Sequence, residues 1–234
     1  MVRMQLLSNQ VCVWAKNIQT LNDKTIQEQA QYLSAEEHKR ADRFVHNADA
    51  KRFIIAYSGL RLILAKYLPV PKGNFAFKRN EHGKPYLINS PLCFNLSHSN
   101  DYVIWAFALN NSVGIDIEYE KKNVDVLALA KRFFAKEEYT TLKNISSENQ
   151  LSAFYRCWTR KEAFIKAIGK GLSYPLNKFA VTFEKKIYNW TIPIENKSDD
   201  QKWYLYSLKT PEKYTAAIVL KKPIDTIQYN EFSI

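Results

Sequence analysis

No apolar run in this 234-residue chain approaches the roughly 18 residues a membrane-spanning helix needs. The N-terminal stretch MVRMQLLSNQVCVWAK has one early arginine, but Ser8-Asn9-Gln10 breaks its apolar part, so a secretory signal core and cleavage site are missing. Cysteine is scarce. Cys12, Cys93 and Cys157 are odd in number, widely spaced and set among apolar neighbours, which argues against a disulfide framework or a zinc site. The four histidines, His38, His46, His82 and His98, show no H-x-x-x-H spacing. These absences lead us to expect a cytoplasmic protein with buried free thiols and no membrane partner.

What is present describes an ordinary globular chain with an unusual charge. Apolar residues make up 46% and charged residues 24%, which argues against disorder, and the length suits one large domain or two small ones. The net charge of +11 attracts polyanions: nucleic acid, anionic lipid, a phosphorylated metabolite or an acidic protein. Charge alone does not choose among them.

In chain order, residues 5–15 read as a strand and Asp23–Tyr32 as helical. Ser34 followed by Glu37 is a capping box that opens a short basic helix running through Phe44. Asp49 begins a longer helix closed by Pro69 and Pro71. Phe75–Lys78 reads as a short strand, and Asn80-Glu81-His82-Gly83-Lys84-Pro85 as a turn with a lysine at its tip. Cys93–Ser97 and Tyr102–Leu109 are apolar strands joined by a turn at His98-Ser99-Asn100-Asp101. The second half echoes the first. Phe75-Ala76-Phe77 after Pro71 recurs as Phe179-Ala180-Val181 after Pro175 at an offset of 104, and Ala41-x-Arg43-Phe44 recurs as Ala130-x-Arg132-Phe133 at an offset of 89. We expect an α+β fold of two similar halves, 1–111 and 112–234, related by a pseudo-twofold, the second enlarged between Phe134 and Leu151, with a ligand cleft between them.

Two stretches carry the chemistry. In Gly114-Ile115-Asp116-Ile117-Glu118 the carboxylates are two residues apart, so both face one side of a strand. A helix expected over Leu151–Ile168, stopped by Gly169 and Gly171, carries Trp158, Glu162 and Lys166 at i, i+4 and i+8, nearly one face. Such motifs also occur as a solvated strand face and a surface ion pair. The apolar setting of the acids and the tryptophan beside Glu162 favour a site. Asp116, Glu118 and Glu162 make an oxygen cage for a hard divalent cation, and Lys166 stands one turn on to hold a phosphate oxygen.

Phe94-Asn95-Leu96-Ser97-His98-Ser99, Gly114-Ile115-Asp116-Ile117-Glu118 and Trp158-Thr159-Arg160-Lys161-Glu162-Ala163-Phe164-Ile165-Lys166, with the smaller Gly83-Lys84-Pro85, resemble the signature motifs of 4′-phosphopantetheinyl transferases. The two-half length is similar to the surfactin-synthetase-activating (Sfp) type. The resemblance implies transfer of the 4′-phosphopantetheine arm of coenzyme A to a serine of an apo acyl or peptidyl carrier protein, with release of adenosine 3′,5′-bisphosphate. It implies Mg²⁺, with Mn²⁺ as an alternative, on Asp116, Glu118 and Glu162, and catalytic roles for Lys166 and for Glu138 as general base. It also implies coenzyme A contacts from Arg40, Arg52, Lys84, Ser97 and His98, and a monomer that acts on no nucleic acid. Some relatives carry two lysines in the first basic helix where this chain has Glu37 at one position, which leaves the 3′-phosphate to Arg40 and Arg52. An acidic carrier suits the positive charge, and Lys121–Leu127, mixed basic and apolar, is the candidate docking surface. The competing readings are a metal-dependent nuclease built on Asp116 with Glu120-Lys121-Lys122, and a basic nucleic-acid-binding module.

Overall fold

The computed structural model describes residues 4–70, 74–185, 190–192 and 202–234. Its elements are β1 (Gln10–Asn17), α1 (Asp23–Ala30), α2 (Ala35–Ala41), α3 (Asn47–Tyr67), β2 (Phe77–Arg79), β3 (Pro85–Leu87), β4 (Leu92–Ser99), β5 (Tyr102–Leu109), β6 (Val113–Tyr119), α4 (Val126–Phe133), α5 (Lys136–Lys143), α6 (Ser147–Ile168), β7 (Trp190–Thr191), β8 (Tyr204–Ser207), β9 (Tyr214–Leu220) and β10 (Thr226–Glu231). One sheet has the order β10-β1-β5-β4, another β6-β9-β8-β7, and β2 with β3 forms a two-stranded ribbon.

Strand periodicity explains how these layers stack. On β5, Val103, Trp105 and Phe107 face α3, while Ile104, Ala106 and Ala108 face the other way. On β6 and β9, Ile115, Ile117, Ala216 and Ile218 meet that second face, and Ala217 and Val219 face α6. Both sides of these strands are therefore buried, which is why they read as near-continuous apolar runs. The order is helix, sheet, sheet, helix.

The halves share a plan. Each runs strand, three helices, then strands, and in each the first strand pairs antiparallel with a later one (β1 with β5, β6 with β9), which pairs antiparallel with the strand before it. The likeness reaches individual residues. Glu37 caps its own helix by accepting from Ser34 N–H, and pairs with buried Arg61 of α3, which also donates to the Phe75 carbonyl. Glu138 accepts from Ala135 N–H and pairs with buried Lys161 of α6, which donates to the Phe179 carbonyl. This equates α2 with α5. The match of Ala41-x-Arg43-Phe44 with Ala130-x-Arg132-Phe133 instead sets the end of α2 against the end of α4, so that echo is not a structural equivalence. The last strand also departs from a clean division: β10 crosses back and pairs parallel with β1, and Phe232 is buried in the core beneath α3.

Several local expectations shift by a few residues. The capping box at Ser34 is present, but its helix ends at Ala41 rather than Phe44. α6 begins four residues earlier than expected, and α5 fills much of the enlargement before it. Pro71 lies outside the described residues. β4 continues through His98 and Ser99, so His98 stands on a strand, and the turn is made by Asn100, at φ 48°, and Asp101. The cysteines are free, Cys12 and Cys157 buried and Cys93 half-buried. Among the described residues no helix is long and apolar enough to cross a membrane.

Candidate active site

The site is set by a close approach of α6 to β6. A Cβ on Gly114 would lie 2.1 Å from the Ala163 carbonyl oxygen and 2.2 Å from the Ala167 nitrogen, so only glycine lets the helix backbone rest on the strand here. Glu162 and Lys166 each immediately precede one of those alanines, and Asp116 is the next residue after Gly114 on the same face of β6. The result is contact across the gap: Lys166 Nζ lies 2.6 Å from Asp116 Oδ1 and 2.9 Å from Ser97 Oγ. Gly169 ends the helix in the left-handed region, at φ 71°.

A cavity of about 730 Å³ opens over this contact, lined by Ser97 and His98 of β4, Asp116 and Glu118 of β6, and Trp158, Glu162 and Lys166 of α6. Six of the ten expected site residues therefore converge. Arg132, Phe133, Tyr174 and Asn177 also line it and were not anticipated as site residues. Arg132 and Phe133 had stood out only as a repeat match, which carries no signal for a cavity wall. Phe133 packs edge-on to Trp158, with ring centroids 5.7 Å apart.

The electrostatics are those of crowded, desolvated acids. Burial, then the Asp116 and Glu118 charges, push Glu162 up to about 7, against the opposing pull of Lys166. Asp116 is raised by burial, opposed by Lys166 and Ser97, and Glu118 is raised by burial and by Asp116. Asp116 Oδ2 is buried without a hydrogen-bond partner. Among the described residues no three His, Cys, Asp or Glu side chains stand close enough to hold an ion as they are. The Lys166 ammonium lies against Asp116 instead. The donor set nonetheless fits a hard divalent cation: three carboxylates, mutually repelling, with one buried oxygen unsatisfied.

The other four expected residues lie elsewhere, for identifiable reasons. Glu138, expected as general base, is 2% exposed and lies outside the cavity. Its oxygens accept from Lys161 Nζ at 2.7 Å, Ala135 N–H at 2.8 Å, Val181 N–H at 2.7 Å and Cys157 Sγ at 3.5 Å, so all its contacts here are structural. Lys84, expected on a phosphate, donates to the Val113 and Ala167 carbonyls at 2.9 and 3.1 Å, and Asn80 donates to the Gly169 carbonyl. The 80–85 turn thus clamps the C-terminal end of α6, where carbonyls lack helical partners. Arg40 lies over the Phe53 ring. Arg52 pairs with Asp49 and donates to the Asn100 carbonyl, beside the cavity mouth. His98 is exposed at that mouth yet walled by protein on its inner side. This partial desolvation, with Lys166 and Arg52 nearby, holds its imidazole below the usual histidine range.

Two family models match the chain: "4'-phosphopantetheinyl transferase superfamily" over residues 112–219 and "4'-phosphopantetheinyl transferase, N-terminal" over residues 20–110. The chain is 33% identical over 206 residues to the 4′-phosphopantetheinyl transferase Sfp of Bacillus subtilis, spanning 86% of this chain and 89% of that one. It is 38% identical over 172 residues to HetI of Nostoc, 72% of each chain. It is 30% identical over 209 residues to the L-aminoadipate-semialdehyde dehydrogenase-phosphopantetheinyl transferase of Mus musculus, 82% of this chain and 68% of that one.

Proposed function

The chain belongs to the 4′-phosphopantetheinyl transferase superfamily, and from that premise we propose that the cavity over Asp116 and Lys166 is where it moves phosphopantetheine from coenzyme A to a carrier-protein serine. The carrying observation is the meeting of Ser97, Asp116, Glu162 and Lys166, drawn from both halves, around one unsatisfied carboxylate oxygen. In the reaction the serine oxygen attacks the phosphorus bearing the pantetheine arm, its proton passing to water in the cleft. The pyrophosphate P–O bond breaks and adenosine 3′,5′-bisphosphate leaves.

Mg²⁺, or Mn²⁺ in its place, would be held by Asp116, Glu118 and Glu162 and would offset charge on the leaving phosphate. To hold the cation, Glu162, pushed up to about 7, would give up its proton, and Lys166 would leave Asp116 for the phosphoryl group. Lys166 then holds a phosphoryl oxygen as charge redistributes. Ser97 and His98 contact the nucleotide end, His98 as a neutral hydrogen-bond partner. Arg132 adds a second cation to the wall, and Arg52 stands just outside it. The partner is an acidic carrier protein, drawn by the positive surface. Lys121, Lys122 and Asn123, exposed in the turn before α4, suit its docking.

The nuclease reading requires an acid-x-lysine on a strand. Here Glu120, Lys121 and Lys122 follow the end of β6 in a turn, and that reading falls away. The test is mass spectrometry of a panel of apo carrier proteins after incubation with coenzyme A, with and without Mg²⁺. A gain of the phosphopantetheine mass that needs the cation is expected. No gain on any carrier would remove the assignment, and full gain in chelator would remove the cation from it.

A further inference from the structure

β4 and β6 are adjoining edges of the two sheets, and side chains join them. Three alternate residues of β4 point the same way. The Asn95 side-chain carbonyl accepts from Ile115 N–H at 2.8 Å. The Ser97 hydroxyl donates to Asp116 Oδ1 at 2.8 Å. The Ser99 hydroxyl does two things, accepting from Tyr119 N–H at 3.0 Å and donating to Glu118 Oε2 at 2.8 Å. Of the β6 groups, Asn95 therefore holds only backbone and Ser97 only a carboxylate, its oxygen also accepting from Lys166 of α6. Ser99 grips the β6 backbone and a cavity carboxylate through a single oxygen.

This matters because Glu118 is the longest and least confined of the strand acids. It is half-buried near the end of β6, where Asp116 is 3% exposed and already tied to Lys166 and Ser97. A glutamate has three side-chain torsions, and without a fixed partner its carboxylate samples several positions. Ser99 is held by the Tyr119 N–H, so the position of its hydroxyl is set by the strand and not by the glutamate. We propose that Ser99 is a positioning residue that holds the Glu118 carboxylate toward the cavity for a divalent cation; this rests on the cation reading of the site. Orienting partners of metal ligands typically contribute about 10–100-fold in metal affinity.

The experiment is calorimetric titration of Mn²⁺ and Mg²⁺ into the full chain, without coenzyme A or carrier, for wild type, Ser99→Ala and Ser99→Thr. We expect Ser99→Ala to weaken cation binding about tenfold or more, and Ser99→Thr, which keeps the hydroxyl, to restore it to within a few-fold. Thermal unfolding in chelator accompanies each titration, because a merely structural Ser99 would lower the melting temperature without moving the cation affinity. Should Ser99→Ala fail to fold, Ser99→Cys keeps the volume with a weaker donor and reads the same point. Wild-type binding with an unchanged affinity in the variants overturns the role of Ser99 and leaves the cation reading standing. A wild type that binds neither cation overturns both.

Discussion

Glu162 and Lys166 look in sequence like a surface ion pair, and the structure separates their roles by what each faces. Lys166 contacts Asp116 and Ser97, whereas Glu162 is pushed up by burial and by the strand acids. Glu162→Gln should therefore raise the Mg²⁺ needed for half-maximal transfer, one hard anionic oxygen being gone. Lys166→Met should not raise that midpoint, since it frees Asp116 of a competing ammonium, and should lower the rate at saturating metal. Two titration curves that overlay wild type would remove the site. Glu138 carries the opposite expectation. Glu138→Gln leaves the Lys161 charge buried with its ionic partner gone, and should cost about 3–5 kcal/mol in chemical denaturation. Transfer per folded molecule should stay within a few-fold of wild type, because the carboxylate does not line the cavity over Asp116. His98 supplies the pH-dependent case. Its imidazole titrates lower in the folded chain than in the unfolded one, so the unfolded chain binds the extra proton first. Stability is fully present above the ordinary histidine pKa, about 6.5, and is lost as pH falls through the lower folded value. The ring should remain neutral at pH 6 by NMR, and His98→Asn should remove part of that acid-side decline in melting temperature.

At the scale of elements, α6 is positioned by backbone contact, and Gly114 is the residue that permits it. Gly114→Ala forces the helix off the strand, since the obstructing atoms are backbone atoms of Ala163 and Ala167. Overpacking of this kind costs about 1–3 kcal/mol or more. The shift also carries Glu162 and Lys166 away from Asp116, so activity should fall well beyond the loss of folded protein. Gly59 is a matched control. Its added Cβ would meet the Trp105 ring at 2.5 Å, beneath α3 and away from the cavity. Gly59→Ala should lower the melting temperature comparably while sparing transfer. If both variants lose activity only in proportion to folding, the strand–helix contact does not set the site. The same clamp explains Lys84, whose turn satisfies the carbonyls at the end of this helix.

For the whole molecule, the two halves are joined by the sheet-to-sheet core, by the β4–β6 side chains and by β10 returning to β1. A site built across such a seam depends on both halves remaining folded together. The charge of +11 acts at this scale as well. If it steers an acidic carrier, raising salt should slow carrier association far more than it slows single-turnover transfer at saturating carrier. Stopped-flow association rates indifferent to ionic strength would remove the steering argument.

Most elements were legible from the sequence because local rules govern them. The Ser34 capping box, the Gly169 stop and the buried runs of β5 and β6 follow from hydrogen bonding and periodicity within a few residues. The carboxylate pair and its helix were legible for the same reason, as spacing on a strand and on one helix face. What needed the tertiary structure was the fate of each charge. Glu138 and Glu162 are both acids beside α-helical apolar residues. One meets Lys161 and two backbone N–H groups, while the other shares an open cavity with two more carboxylates whose charge it feels. Lys84 and Lys166 differ likewise, one on carbonyls at a helix end and the other on a carboxylate. The crossing of β10 to β1 was hidden too, because a strand's sequence records its pattern of burial and not which edge it joins. Short-range geometry is written along the chain, whereas the partner of a buried charge is decided by residues brought near it only when the layers close.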